Sequence, residues 1–157
     1  MILLGDSITA WNPRKDAVNM GVPGDTVRDI LWRVEDILEV AGDEVYLMAG
    51  INDIIMGFSE GKILENYTKL VGTLKKNFKR LIVISVLPVD SSSRNEIIRS
   101  LNKKIEEIGQ EAGGEYLDLY QGFTGKAGNI DMKYTTDGVH LSSKGYDLLN
   151  TKLTLPL

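Results

Sequence analysis

The stretch LIVISV, at residues 81–86, is the clearest strand in this chain. Every residue in it except Ser85 is apolar, so polar and apolar positions do not alternate. An unbroken apolar run of this length indicates a strand covered on both faces, which is typical of a parallel sheet. Residues 81–86 are therefore predicted to form a central strand.

Segments with helical and strand patterns alternate on both sides of this strand. Apolar residues recur at helical spacing over residues 26–40, 63–78, 97–108 and 142–153, and short apolar runs occur at 1–4, 17–20, 45–49 and 116–119. Strands separated by helices pair in parallel through right-handed crossovers. The sequence thus predicts an α/β fold, a three-layer α/β/α domain with a doubly wound sheet of about five parallel strands. Because there is no internal repeat and no linker, residues 1–157 are predicted to be a single domain.

Composition narrows the classes of function. The chain has a net charge of −4, which argues against a surface for nucleic acid or anionic membranes. It has no cysteine and one histidine, His140, which excludes disulfides, thiolate nucleophiles, zinc–cysteine sites and multi-histidine metal sites. We see neither an apolar stretch long enough to cross a membrane nor the pattern of a signal peptide. We therefore expect a cytoplasmic protein without a metal site.

Glycine-rich and polar segments follow the predicted strands. Ligands of open parallel sheets bind outside the carboxyl ends of the strands, where such segments meet. The segments expected at this edge are Gly5-Asp6-Ser7, residues 21–26 with Gly24, Gly50-Ile51-Asn52-Asp53, Leu87-Pro88 and Asp137-Gly138-Val139-His140.

Together these segments contain the groups needed for acyl transfer. Ser7 would be the nucleophile, His140 the base that takes its proton, and Asp137 the partner of the other imidazole nitrogen. Two backbone N–H groups, of Ser7 and Gly24, and the side-chain amide of Asn52 would form an oxyanion hole. Each segment alone has a simpler interpretation, as a turn, a helix start or a cap. Their common position at strand ends, with every role supplied once, favours catalysis.

The ordered set of motifs resembles the SGNH hydrolases, also called the GDSL esterase/lipase superfamily. The residues that give that family its name correspond to Ser7, Gly24, Asn52 and His140. Two longer stretches are also similar to the family's motifs, namely Val22-Pro23-Gly24-Asp25-Thr26 and His140-Leu141-Ser142 followed by Gly145-Tyr146. The resemblance implies a flavodoxin-like three-layer sheet, a serine esterase mechanism and no cofactor.

Substrate preference is predicted from the loops at the same edge. No insertion is long enough to form an obvious lid, so we expect short-chain acyl esters, such as acetylated sugars, rather than lipids. Apolar loop residues that could line the substrate pocket, or merely pack the loops onto the sheet, are Trp11, Ile54, Leu87 and Pro88. Trp11 is the strongest of these candidates because it follows the nucleophile closely.

Two other functions stay open at this point. A thioesterase or lysophospholipase would use the same triad on another acyl donor. A non-catalytic flavodoxin-like module would instead hold a phosphate or flavin near residues 21–26, since helix N-termini bind phosphate. That segment, however, has neither a Walker lysine nor the glycine spacing of dinucleotide sites. The expected partner is a small-molecule ester, and the expected assembly is a monomer or small homo-oligomer.

Overall fold

A computed structural model describes residues 1–154 of the chain. Its centre is a parallel sheet of five strands in the order β2-β1-β3-β4-β5. This is the flavodoxin-like order, in which the chain reverses its direction of winding between β1 and β3. The strands are β1 (Ile2–Gly5), β2 (Val18–Gly21), β3 (Glu44–Met48), β4 (Arg80–Ile84) and β5 (Glu115–Leu117).

Successive strand residues point to opposite faces of the sheet, and each face has its own core. Ile2, Leu4, Val45 and Val83 contribute to the larger core, whereas Leu3, Tyr46 and Ile82 contribute to the smaller one. Helices α2 (Val27–Trp32), α3 (Val34–Leu38), α5 (Glu60–Asn77) and α6 (Ser92–Glu111) supply buried residues to the larger core. The smaller core receives them from α1 (Ser7–Ala10), α7 (Tyr120–Phe123) and α8 (Ser143–Leu153). The predicted three-layer, doubly wound fold is confirmed.

The prediction of one helix over residues 26–40 is wrong in one respect, because the helix is interrupted at Arg33. Arg33 leaves the helical conformation, with φ −102° and ψ 19°, and separates α2 from α3. Its guanidinium turns back to bond Asp25 (2.8 Å) and the carbonyl of Met20 (2.9 Å). The apolar spacing continues across the break, so it could not indicate the interruption.

The sheet register brings three loops side by side. Gly5 of β1 pairs with Gly21 of β2 and with Met48 of β3, so these three strands end at the same level. Position 5 has to be glycine because a Cβ there would lie 2.3 Å from the carbonyl oxygen of Met48. The segments that follow carry Ser7, Gly24 and Asn52, which are therefore neighbours at one edge. None of the described helices has the length and apolar character needed to cross a membrane.

Candidate active site

Ser7 is the first residue of α1 and lies directly beyond the end of β1. The carboxylate of Asp6 caps this short helix by accepting a hydrogen bond from the N–H of Ile8 at 3.0 Å. Ser7 is 7% exposed, so its hydroxyl lies at the bottom of the edge rather than on a protruding loop. Its own N–H, at the helix start, donates to no acceptor within residues 1–154.

The structure brings Ser7, His140 and Asp137 into one hydrogen-bonded chain. The Oγ atom of Ser7 lies 3.0 Å from Nε2 of His140, and Nδ1 of His140 lies 2.6 Å from Oδ2 of Asp137. Asp137 is held in turn, because its Oδ1 accepts from the N–H groups of Val139 (3.0 Å) and His140 (2.8 Å). A carboxylate facing Nδ1 places the proton of neutral imidazole on that nitrogen, which leaves Nε2 to accept from the serine.

The Asp137 carboxyl group stays ionised over the whole neutral range. Its hydrogen bond with the His140 ring, aided by those from the two backbone N–H groups, lowers its pKa to about 2. A permanent negative charge on Asp137 favours a positive charge on the imidazole whenever that ring takes up the serine proton.

The two other predicted oxyanion residues, Gly24 and Asn52, follow β2 and β3, the strands that flank β1. Gly24 has a φ of +87°, and a side chain added there would meet no atom within 4 Å, so the space beside its backbone is open. No acceptor within residues 1–154 takes its N–H. Asn52, in the helix α4 (Ile51–Ile55), donates one amide N–H to the carbonyl of Asp25 at 2.9 Å. The amide therefore keeps a second N–H for a ligand.

The predicted substrate-lining residues divide into three groups. Trp11 is exposed, and the centroid of its ring lies 4.6 Å from that of His140. Leu87 and Pro88 line a pocket that also involves Ile8 and Val139, the neighbours of Ser7 and His140 in sequence. Ile54, by contrast, packs in the larger core and is not among the residues that line this pocket. The prediction that Ile54 lines the substrate pocket is corrected accordingly: the residue is 8% exposed, and its side chain is buried in the larger core.

Thr135 supports His140 and was not among the predicted residues. Its hydroxyl donates to the carbonyl of His140 at 2.7 Å and accepts from the N–H of Gly138 at 2.8 Å. A second bond, from Tyr146 Oη to the carbonyl of Ile8 (3.0 Å), joins α8 to the serine helix. A threonine two positions before an aspartate has no distinctive sequence signature, so only the coordinates reveal this support.

Two carboxyl groups are buried beneath the site. Burial raises the pKa of Asp6 and the pKa of Asp53 to about 6 in each case. Asp53 Oδ2 accepts from the N–H of Val27 at 3.0 Å, while its Oδ1 is buried without a partner among the described residues. Both carboxylates accept hydrogen bonds from nearby backbone N–H groups, which is typical of a structural role. Within residues 1–154 no cluster of acidic, histidine or cysteine side chains is suited to a metal ion.

Comparison with known proteins shows the family to which the chain belongs. The sequence from residue 3 to residue 148 matches the GDSL-like Lipase/Acylhydrolase family. Among curated proteins, the chain is 29% identical to an N-acylneuraminate cytidylyltransferase of Streptococcus agalactiae serotype V, over 98% of this chain but 38% of that protein. It is 26% identical to the platelet-activating factor acetylhydrolase IB subunit alpha2 of Rattus norvegicus, over 83% of this chain and 59% of that protein.

A solved structure agrees in both sequence and shape. The GDSL-like lipase of Bacteroides thetaiotaomicron superposes with a TM-score of 0.85 and 27% identity, covering 97% of this chain and 84% of that one. The curated relatives are longer, and the chain spans 38% and 59% of their lengths. With the family match extending over nearly all of its residues, the chain belongs to the GDSL-like lipase/acylhydrolase family.

Proposed function

We propose that the protein is a serine esterase that hydrolyses short-chain acyl esters, such as acetylated sugars, through an acyl-enzyme. The observation that carries the proposal is the chain of contacts from Ser7 Oγ to His140 (3.0 Å) and from His140 to Asp137 (2.6 Å). A buried serine aligned with an imidazole and an ionised carboxylate is the arrangement that activates a hydroxyl for attack on a carbonyl.

The proposed reaction has two steps at the same atoms. Ser7 Oγ attacks the ester carbonyl while His140 Nε2 takes its proton, and the resulting oxyanion is bound by the N–H groups of Ser7, Gly24 and Asn52. His140 then gives the proton to the leaving alcohol as the ester C–O bond breaks. A water molecule gives a proton to His140 and attacks the acyl-enzyme; His140 returns that proton to Ser7 Oγ as the acyl–oxygen bond breaks and the acid leaves.

The pocket beside the serine favours a small acyl group. It is lined mainly by apolar side chains, among them Ile8, Leu87, Pro88 and Val139. The free space inside it is close to that of a single water molecule, so a long acyl chain would extend beyond it. The acetylhydrolase similarity is consistent with an acetyl group, and the cytidylyltransferase similarity makes an O-acetylated neuraminic acid a suitable sugar to test.

The first test is hydrolysis of p-nitrophenyl esters from acetate to octanoate. We expect the wild type to be fastest on acetate, and Ser7→Ala to lose all activity above background. Ser93→Ala, which alters an exposed serine of α6, serves as the matched control and should keep the wild-type rate. A fluorophosphonate probe should label the wild type and the control but not Ser7→Ala.

The other outcomes distinguish the alternatives. A maximum at longer chains, with Ser7 still required, would replace the short-chain proposal with a thioesterase or lysophospholipase. Equal rates for the wild type and Ser7→Ala would refute the catalytic assignment and favour a binding module. A panel of acetylated sugars, including an O-acetylated neuraminic acid, then identifies the alcohol.

A further inference from the structure

Trp11 combines exposure with contact to the proposed base. The residue is 53% exposed, although its large apolar ring would gain free energy from burial. Its ring centroid lies 4.6 Å from that of His140, and the two rings are tilted by 45°. An exposed tryptophan in contact with the proposed base is a specific feature of the site and calls for an explanation.

Hydrogen bonds of Trp11 and of the next residue fix the backbone position of Trp11. The N–H of Trp11 donates to the carbonyl of Ser7 at 3.0 Å, which ties the residue to the nucleophile helix. The next residue, Asn12, exchanges two side-chain hydrogen bonds with Asn150 of α8, at 3.0 and 2.9 Å. The backbone position of Trp11 is therefore built into the fold and does not depend on burial of the indole.

The chemistry of the reaction assigns Trp11 to the alcohol side of the ester. His140 protonates the departing oxygen, so the leaving alcohol has to lie beside this imidazole. The acyl group has a separate place in the pocket lined by Ile8, Leu87 and Pro88, and Trp11 is not part of that lining. What remains next to His140 at the open edge is the indole.

The surroundings of Trp11 indicate what kind of alcohol it would contact. Asn12, which follows Trp11, pairs with Asn150 of α8, and Arg14 forms an ion pair with Asp16 (2.7 Å), so the indole is not part of a continuous apolar strip. A lipid or long alkyl alcohol would need such a strip, because its binding is proportional to the apolar area covered. A sugar ring needs only one flat apolar surface for its C–H face, while its hydroxyl groups stay in water or bond to polar neighbours.

We infer that Trp11 is a specificity-determining residue whose indole stacks on the ring of a sugar alcohol as that alcohol leaves. The inference rests on the proposed esterase function and adds the class of leaving group to it. Stacking on the indole strengthens the binding of a sugar alcohol. It contributes nothing to the binding of an acyclic secondary alcohol, which has no ring.

The test compares two esters that share the acetyl group and a secondary alcohol. One is isopropyl acetate, and the other is methyl xylopyranoside with a single O-acetyl group; acetate release gives kcat/KM for each. We expect the wild type to prefer the sugar ester, and Trp11→Ala to lower the ratio of the two kcat/KM values about tenfold. Trp11→Phe should keep part of the preference, because a smaller ring still offers a flat face.

The control is the second tryptophan of the chain. Trp32 is 73% exposed but stacks on Arg28 of α2, and Trp32→Ala should retain the wild-type ratio. The inference is overturned if Trp11→Ala leaves the ratio of the two kcat/KM values unchanged. If both values fall by the same factor, the ring only supports His140. Absence of any Ser7-dependent hydrolysis of either acetate would instead refute the proposed function.

Discussion

Asn52 connects two parts of the site through a single side-chain amide. One of its N–H groups holds the carbonyl of Asp25, in the loop that carries Gly24, at 2.9 Å. The other is the donor that we assign to the oxyanion. The neighbouring Asp53 accepts from the N–H of Val27, the first residue of α2 after that loop, so α4 holds both the loop and the start of α2.

Truncation of Asn52 should therefore slow the chemical step more than it weakens binding. We predict that Asn52→Ala lowers kcat by about 10²–10³, the usual loss when an oxyanion donor is removed, with a much smaller change in KM. Steady-state kinetics with p-nitrophenyl acetate give both constants. Asn77→Ala, in which an exposed asparagine of α5 loses its bond to Thr73, is the control. A loss below tenfold would remove Asn52 from the oxyanion hole.

Residue identities at this site were predictable where one chemistry demands one residue type. Because the chain has a single histidine, the sequence predicted His140 as the base, and the 3.0 Å contact with Ser7 agrees with the expected pairing. Ile54 was not predictable in the same way, because an apolar residue in a loop can face either the pocket or the core. Thr135 could not be found either, since its role depends on the fold of a turn and not on a motif.

At the scale of elements, hydrogen bonds within the segment from Thr135 to Leu141 position His140. Its two ends pair through an antiparallel bridge between Thr135 and Leu141. Inside it, the Thr135 hydroxyl joins Gly138 N–H to the His140 carbonyl, and the N–H of Asp90 binds the carbonyl of Gly138 at 2.8 Å. The segment is a braced turn, so the distance from His140 to Ser7 is set by these bonds.

Removal of the Thr135 hydroxyl tests whether these hydrogen bonds position His140. Thr135→Val keeps the side-chain shape but leaves the N–H of Gly138 without its acceptor, which should cost about 1–3 kcal/mol of unfolding free energy. We also expect kcat for p-nitrophenyl acetate to fall about tenfold, with KM little changed, while Thr135→Ser restores both. Thr73→Val, which removes a half-buried hydroxyl of α5 that bonds the carbonyl of Lys69, is the matched control. Loss of stability with unchanged kcat per labelled site would show that the bond supports the fold alone.

The length of an element decided whether its sequence pattern was sufficient. Helices α5, α6 and α8 contain several turns, and their apolar spacing predicted them. Helices α1 and α4 contain four and five residues, too few for a period to be visible. These short helices nevertheless carry Ser7 and Asn52, because a single helical turn after a strand is enough to direct a side chain to the edge of the sheet.

At the scale of the whole molecule, the sheet topology brings the site residues together and also lowers the stability of the fold, because it buries two carboxyl groups. Asp6 and Asp53 follow the neighbouring strands β1 and β3, so the topology that assembles the site also buries both carboxyl groups. The pKa of each is raised to about 6 by burial. Such groups are destabilising when ionised, and their presence beneath a reactive edge is consistent with stability being reduced there in favour of function.

This burial predicts how the stability of the entire fold depends on pH. An unfolded aspartate has a pKa of about 3.9, so the unfolded chain releases its protons at lower pH than the folded protein does. Folding stability should therefore decrease as pH rises from about 4 through the folded pKa of about 6, by roughly 3 kcal/mol for one such carboxyl. The Asp137 carboxyl has the opposite sign: its pKa of about 2 adds stability that is lost as pH falls below about 4.

Urea unfolding followed by circular dichroism at pH 5 and pH 8, at constant ionic strength, measures this decrease. We expect the wild type to be less stable at pH 8, and Asp53→Asn to reduce the difference by about half, because the amide keeps an acceptor for Val27 N–H and cannot ionise. Asp147→Asn, at an exposed position of α8, should leave the difference as it is. Equal stability of the wild type at the two pH values would show that neither buried carboxyl is destabilising when ionised. An unchanged difference in Asp53→Asn would assign the whole decrease to Asp6, the other carboxyl that the sheet edge buries.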